Sequence, residues 1–191
     1  MPTYPEWEDN VIPYGYLITF RTYGTWLHGD KRGSVDRLHN AYATPRIKSN
    51  PSRERYHRSL MKRPPVVLDA EMRMSTEMAI REVCDYKNWS LHAINIRTNH
   101  AHAVVATFDR NHSKVLNALK AYSTRKMRER GCWSSDRSPW SDKGSQRVLW
   151  NANALWYACN YVLNAQGVDL DDYDAWLGKQ VPPADAGGSP L

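Results

Sequence analysis

The chain has 191 residues, of which 41% are hydrophobic, which is enough for the core of one domain. Its three cysteines, Cys84, Cys132 and Cys159, lack metal-binding spacing and cannot all pair, which favours a reducing compartment. No apolar run reaches membrane length and the first ten residues are polar and acidic, so we expect a cytoplasmic protein without a signal peptide or membrane partner.

Composition divides the chain into three segments. Residues 1–13 form an expected N-terminal arm, and residues 14–168 form one expected domain. Within that domain, residues 27–67 form a long basic insert, which is either a nucleic-acid contact or a solvated loop. Residues 169–191 are first acidic and then rich in Pro and Gly, which is typical of a disordered tail.

The remaining segments predict four strands and three main helices. The alternating and β-branched runs that predict strands are Tyr14–Trp26, Leu91–Arg97, His100–Thr107 and Gln146–Trp150. The helical segments are Asp69–Lys87, one from Asn111 or Ser113 to about Arg130, one from Asn151 to about Asn164, and a short one at Arg53–Met61 in the insert.

The order of these elements predicts an α+β fold. Without the insert it reads β-α-β-β-α-β, the ferredoxin-like arrangement, followed by an additional C-terminal helix. We therefore expect a four-stranded antiparallel sheet with its third strand central and two helices on one face. The last helix is left to cover the other face.

Two histidines at the start of the third predicted strand are the first candidate site. Residues i and i+2 of a strand point to one face, so His100 and His102 present their imidazoles together. Neutral imidazoles bind divalent metals, although a structural role fits an isolated pair as well.

The last predicted helix supplies a second candidate group. Tyr157 and Tyr161 share one face because they are four residues apart, and Asn164 lies near that face. A tyrosine hydroxyl beside a metal can attack a phosphodiester while the metal polarises the phosphoryl oxygen. The histidine strand and the tyrosine helix together indicate phosphodiester chemistry.

Both features resemble a known superfamily. The sequence Asn99-His100-Ala101-His102 resembles the HUH motif (His, hydrophobic, His), and Tyr161-Val162 with Gln166 is similar to the nucleophile helix of single-tyrosine HUH enzymes. Within that superfamily the chain resembles the small transposases of bacterial insertion sequences and the REP-associated tyrosine transposases. The resemblance covers roughly residues 16–167. Further similar segments are Thr22–Leu27, Val35–Arg37 with Asn40, Ser90–Ala93 leading to Arg97–His100, and Lys143–Ser145 before Leu149 and Trp150.

The resemblance implies a ferredoxin-like DNA strand transferase. Members cut single-stranded or hairpin DNA at the ends of an element, form a 5′-phosphotyrosine link and rejoin DNA through a free 3′-hydroxyl. They need Mg²⁺ or Mn²⁺. Many are homodimers whose active sites form in trans, and some are monomers. For this chain the resemblance implies a bacterial cytoplasmic protein acting on DNA of the nucleoid.

Carried over residue by residue, the resemblance makes Tyr161 the nucleophile and His100, His102 and Gln166 the metal ligands. In the insertion-sequence enzymes the Gln follows the Tyr by four residues, where this chain has Ala165. In a regular helix Gln166 lies about 140° from Tyr161, so Asn164 is the alternative ligand unless a π-bulge or a loosened last turn realigns Gln166. Tyr157 is the competing nucleophile.

Basic residues supply candidate DNA contacts. The net charge of +6 makes a polyanion a natural partner, although a solvated basic surface is the alternative explanation. Trp133 and Trp140 could stack on unpaired bases or anchor a loop. The candidate DNA-binding residues are Arg97, Lys114, Lys120, Arg125, Lys126, Arg128 and Lys143.

Two other functions remain open from the sequence. A domesticated relative of the same fold could bind structured DNA or RNA without cutting it, and the displaced Gln166 favours this alternative. A metal-dependent hydrolase of small phosphoesters is less well supported, because no carboxylate cluster accompanies the histidines.

Overall fold

The computed structural model describes residues 12–33, 47–108 and 111–167. The expected arm up to residue 11, the Val35–Arg37 segment with Asn40, and the expected tail lie outside these residues. The strands are β1 (Gly15–Thr22), β2 (Ser90–Ile96), β3 (His100–Ala106) and β4 (Trp140–Leu149). The helices are α1 (Pro51–Ser59), α2 (Ala70–Tyr86), α3 (His112–Glu129) and α4 (Ala152–Asn164). Within the described ranges, no helix combines the length and apolar character that crossing a membrane requires.

The four strands form one antiparallel sheet in the order β2-β3-β1-β4. Strand β3 is therefore internal, as the ferredoxin-like order predicts. The predicted α+β fold is confirmed. In the β1–β3 register Thr19 lies opposite His102 and Arg21 lies opposite His100.

The two faces of the sheet have different covers. On one face, Tyr16, Ile18 and Phe20 of β1 belong to the main core with α2 and α3. On the other face, Val104 of β3 belongs to a second cluster with Val162 of α4. Helix α4 packs mainly on β2 and β3 and touches β4 only slightly. It therefore covers one half of its face and leaves the β1–β4 half open.

Local capping signals set the starts of the three main helices. The side chains of Asp69, Asn111 and Asn151 each accept a hydrogen bond from the backbone N–H three residues later, at 2.8, 3.3 and 2.8 Å. Such a cap stabilises a helix by about 1 kcal/mol. Asn111, rather than Ser113, caps α3.

Strand β4 is longer than the sequence pattern predicts. The predicted bounds Gln146–Trp150 are wrong, because the strand begins at Trp140 and ends at Leu149. The indole of Trp140 is 3% exposed and packs edge-on against Phe20, with ring centroids 4.7 Å apart. Trp140 is thus a core residue and is not exposed for stacking on bases. The polar stretch that follows it pairs on one side only, at the edge of the sheet, where polar side chains are tolerated.

Strand β1 is shorter than the strand-like run Tyr14–Trp26, because it ends at Thr22, two residues before the end predicted at Gly24. Gly24 has φ +72°, a left-handed conformation that favours glycine and turns the chain out of the sheet. The short helix predicted at Arg53–Met61 is present two residues earlier, as α1.

Candidate active site

His100 and His102 lie next to each other on the α4 face of β3. Their ring centroids are 4.7 Å apart with the planes inclined by 77°, and His102 is 6% exposed. Burial lowers the pKa of His100 and lowers that of His102 to about 3. Both imidazoles are therefore neutral at neutral pH, which is the form that binds metals.

Each imidazole is held through its Nδ1 atom. His100 Nδ1 lies 2.6 Å from the Asn99 side-chain oxygen, and His102 Nδ1 lies 2.7 Å from the hydroxyl of Thr19. A partner at Nδ1 fixes the ring and leaves Nε2 for a ligand or metal. Neither partner is predicted from the sequence; the contact of Thr19 depends on the register between β1 and β3, which no local pattern encodes.

Helix α4 brings Tyr161 to the histidines. The phenol ring lies edge-on to His102, with centroids 5.5 Å apart and planes inclined by 77°, and the side chain is 45% exposed. The buried Ala158 and Val162 fix this face of the helix against the sheet. Tyr157 is 67% exposed and packs on Trp156, so Tyr161 is the tyrosine that contacts the pair.

The end of α4 brings in Gln166. The helix stops at Asn164, and Ala165 leaves the helical conformation with φ −114°. The amide nitrogen of Gln166 donates to the Tyr161 carbonyl at 3.0 Å, and its amide oxygen lies 3.4 Å from Nε2 of His100. A loosened last turn, one of the two geometries considered from the sequence, thus places Gln166 here. The side chain of Asn164 instead donates to Asn160 at 2.7 Å and is exposed.

The donors fit a divalent cation. A neutral imidazole has one N–H, yet both ring nitrogens of His100 face amide oxygens, those of Asn99 and Gln166. In one of these two contacts no hydrogen lies between the nitrogen and the oxygen. A cation placed at the 3.4 Å contact would bind the lone pair of Nε2 and a lone pair of the Gln166 oxygen. Two neighbouring ligands of a metal bonded at about 2.1 Å lie about 3.0–3.4 Å apart, which matches this spacing. Within the described residues no group of three His, Cys, Asp or Glu could hold a metal, and the oxygen beside the two imidazoles that would add a third donor is the Gln166 amide oxygen.

One of the candidate DNA-binding residues lies beside the histidines, and another lies on the edge strand β4. Arg97 follows β2 directly, and its guanidinium approaches the backbone at Gly167, just beyond Gln166. Its charge also contributes to the lowered pKa of His100. Lys143 is exposed on the edge strand β4, two residues before Ser145, the partner of Thr19, and next to the point where the pairing of β4 with β1 becomes irregular.

The five candidates on α3 lie on the opposite side of the sheet. Lys114 is exposed near the start of the helix, whereas the expectation that Lys120 is exposed is wrong. Its ammonium donates to the carbonyl oxygens of Ser141, Asp142 and Lys143 at 2.6, 3.2 and 3.1 Å. Lys120 thus satisfies three backbone carbonyls at the start of β4. Burial lowers the pKa of its ammonium group.

The other three α3 cations make contacts within the chain. Arg125 pairs with Glu129 at 3.3 Å, and Lys126 pairs with Glu82 at 2.7 Å. Arg128 donates to backbone carbonyls in the loop before β4 at 2.6–3.2 Å. The tryptophan of that loop, Trp133, is half-buried and donates its indole N–H to the Arg137 carbonyl at 2.9 Å.

Comparison with known proteins identifies the family. The family model described as "Transposase IS200 like" matches residues 55–158, more than half of the chain. The chain belongs to the IS200-like transposase family. The matched range includes His100 and His102 and ends before Tyr161 and Gln166. No curated protein matches the chain.

Two solved structures show distant likeness to this transposase. One is a REP-associated tyrosine transposase bound to a REP hairpin, with 13% identity and a TM-score of 0.43 over 85% of this chain and 70% of that chain. The other is a candidate transposase from Deinococcus radiodurans R1, with 14% identity and a TM-score of 0.43 over 88% of this chain and all of that chain. Both likenesses are too distant to bear on function.

Proposed function

We propose that this transposase cuts and rejoins single-stranded or hairpin DNA at the ends of its element, with Tyr161 as nucleophile. In this proposal Mg²⁺ or Mn²⁺ is held by His100, His102 and Gln166. The observation that carries it is the convergence of Tyr161 and Gln166 from the end of α4 on the two histidines of β3. Two imidazoles among three donors favour Mn²⁺ over Mg²⁺.

The proposed chemistry assigns a task to each side chain. The Tyr161 hydroxyl attacks the scissile phosphorus, the bond from phosphorus to O3′ breaks, and a 5′-phosphotyrosine and a free 3′-hydroxyl result. The phenol proton is lost to solvent and the leaving O3′ gains one. A bound cation supplies charge stabilisation at the phosphoryl oxygens. The Tyr161 side chain is 45% exposed, so a DNA strand can reach it.

We propose further that the active site forms within one chain. In this structure α4 packs on β2 and β3 of its own sheet, and Tyr161 lies against His102 of the same chain. A homodimer with sites in trans is the alternative. Mixing Tyr161→Phe with His100→Ala separates the two, because activity recovered in the mixture requires a site shared between chains.

Covalent trapping tests the proposal. The full-length protein is incubated with Mn²⁺ and labelled single-stranded oligonucleotides copied from both strands of the DNA that flanks its gene. We expect an adduct that survives denaturing electrophoresis, that is lost in Tyr161→Phe and that persists in the matched control Tyr157→Phe. No adduct from the wild type, or an undiminished adduct from Tyr161→Phe, would refute it.

A non-catalytic DNA- or RNA-binding role is the second candidate, because Gln166 follows Tyr161 by five residues where the insertion-sequence enzymes have four. A pure binder needs no metal, so calorimetric titration with Mn²⁺ would give no binding heat. His100→Ala would then leave the affinity for an oligonucleotide nearly unchanged.

A further inference from the structure

The half of the histidine face that α4 leaves uncovered carries a cluster of cations. In the β1–β4 register Leu17 lies opposite Arg147 and Thr19 lies opposite Ser145, so these side chains share the face of His102. We call the polar side chains of this surface the open half-face. They are Thr19, Arg21, Ser145 and Arg147, together with the exposed Lys143, which lies two residues before Ser145 on the same edge strand.

The open half-face is positively charged and ends at the histidines. Three of its five side chains are cations and none is acidic. The one acidic residue of β4 is Asp142. Its charge lies close enough to the buried Lys120 to raise the pKa of that lysine, which partly offsets the lowering by burial. Because Arg21 lies opposite His100 in the register, this positive surface continues directly into the candidate active site.

A stack of aromatic and cationic groups extends the surface beyond β1. The guanidinium of Arg21 lies 3.5 Å from the ring centroid of Trp26, and that of Arg32 lies 4.3 Å from the same centroid. The indole N–H of Trp26 donates to the Gly33 carbonyl at 2.8 Å, and Arg32 is tied to Asp30 at 2.6 and 2.8 Å. The planar groups are thus held in place before any ligand binds, and a preorganised cation loses less side-chain entropy on binding a phosphate.

The cations of α3 lie on the opposite side of the sheet from the histidines. Leu116 of α3 packs on the sheet at Gly144. Gly144 pairs with Phe20, whose side chain lies on the face opposite to His102. A phosphate at the histidines is therefore separated from α3 by the thickness of the sheet. A strand bound along α3 would have to pass around the domain edge to reach Tyr161.

We propose that the open half-face binds the phosphodiester backbone of the strand that is cut, with Arg21, Lys143 and Arg147 as the phosphate ligands. The inference rests on the proposed function, since the bound strand is the one whose scissile bond meets Tyr161. Contacts of this kind read no bases and position the strand. They make binding independent of sequence and strongly dependent on salt.

The test compares two double variants that remove the same charge from opposite sides of the sheet. Lys143→Gln with Arg147→Gln alters the open half-face. Arg125→Gln with Arg130→Gln is the matched control on the α3 side, where both arginines make surface ion pairs with glutamates, at 3.3 and 3.7 Å, and Arg125 also lies over the ring of Tyr122. The probe is a fluorescein-labelled single-stranded oligonucleotide of mixed sequence, and its anisotropy is measured without metal across a salt series.

We expect the half-face variant to bind the probe at least tenfold more weakly at low salt. Its log–log salt slope should fall by about 1.4, from about 0.7 for each lost phosphate contact on a single strand. The α3 variant should change the affinity less than threefold and leave the slope unchanged. Equal losses, a larger loss in the α3 variant, or no binding by the wild type would overturn the inference. Thermal unfolding of both variants establishes that each is folded.

Failure of this inference is distinguishable from failure of the proposed function. The binding assay involves neither metal nor Tyr161 chemistry. Half-face-dependent binding without any covalent adduct would overturn the proposed function alone. A wild-type adduct together with an unchanged affinity in the half-face variant would overturn this inference alone.

Discussion

Replacing Thr19 with valine tests how the histidines are oriented. Valine keeps the shape of the side chain and removes the hydroxyl that lies 2.7 Å from Nδ1 of His102. Because His102 is 6% exposed, water does not readily replace the lost partner. A buried polar group left unsatisfied costs about 1–3 kcal/mol, so we expect Thr19→Val to lower the free energy of unfolding by about 1–2 kcal/mol.

The larger expected effect is on metal affinity. When Nδ1–H of His102 donates to Thr19, the lone pair of the ring lies on Nε2, where a metal would bind. Without Thr19 both neutral tautomers become accessible and the ring can turn. Loss of such a supporting hydrogen bond typically weakens metal affinity by about 10–100-fold. We therefore expect Thr19→Val to raise the Kd for Mn²⁺ by that factor, or about 1.4–2.7 kcal/mol.

Two measurements separate orientation from general loss of structure. Nitrogen-15 NMR of the imidazole side chains in the metal-free protein reports the tautomer, and calorimetric titration reports Mn²⁺ affinity. Thr19→Ser, which retains a hydroxyl, should restore both. If Thr19→Val shows the wild-type tautomer and the wild-type Mn²⁺ affinity, the hydroxyl does not orient His102 and the reasoning fails.

Three further predictions concern packing and reactivity. Val162→Ala should lower the free energy of unfolding in urea by about 2 kcal/mol, because Val162 is fully buried between α4 and the sheet, whereas Leu163→Ala, at a position 56% exposed, should change it by less than about 0.5 kcal/mol. Gly144→Ala would put a Cβ 2.7 Å from the Thr19 carbonyl oxygen, so it should force β1 and β4 apart and cost about 1–3 kcal/mol; an unchanged melting temperature would contradict this. Burial raises the pKa of Cys84 to about 12, so a thiol reagent followed by mass spectrometry should modify Cys84 only after denaturation.

Features written locally in the sequence were predictable. Asp69 and Asn151 each cap a helix through a contact three residues away, so the starts of α2 and α4 follow from the sequence alone. The alternation that turns His100 and His102 to one face is equally local. Together with the order of the elements, these signals predict the fold class correctly.

Features that depend on distant partners were not predictable. The contact of Thr19 with His102 joins residues 83 positions apart and requires the register of two strands. The burial of Lys120 depends on β4 beginning at Trp140, because its ammonium is satisfied by the carbonyls of the first residues of that strand. The sequence shows Lys120 only as one more charge on a basic helix.

Gln166 shows that the way a helix ends can bring a side chain to a site that regular helical spacing would not reach. In a regular helix the residue that follows Tyr161 by four positions would turn toward the histidines, and here that residue is Ala165. The helix ends one residue earlier, and Gly167 has a φ of +87°, which strongly favours glycine. The amide nitrogen of Gln166 donates to the backbone carbonyl of Tyr161, the nucleophile candidate. This hydrogen bond holds the amide oxygen of Gln166 beside His100. Because this oxygen depends on where α4 ends, the geometry of the third donor is set by the last turn and not by the spacing in the sequence.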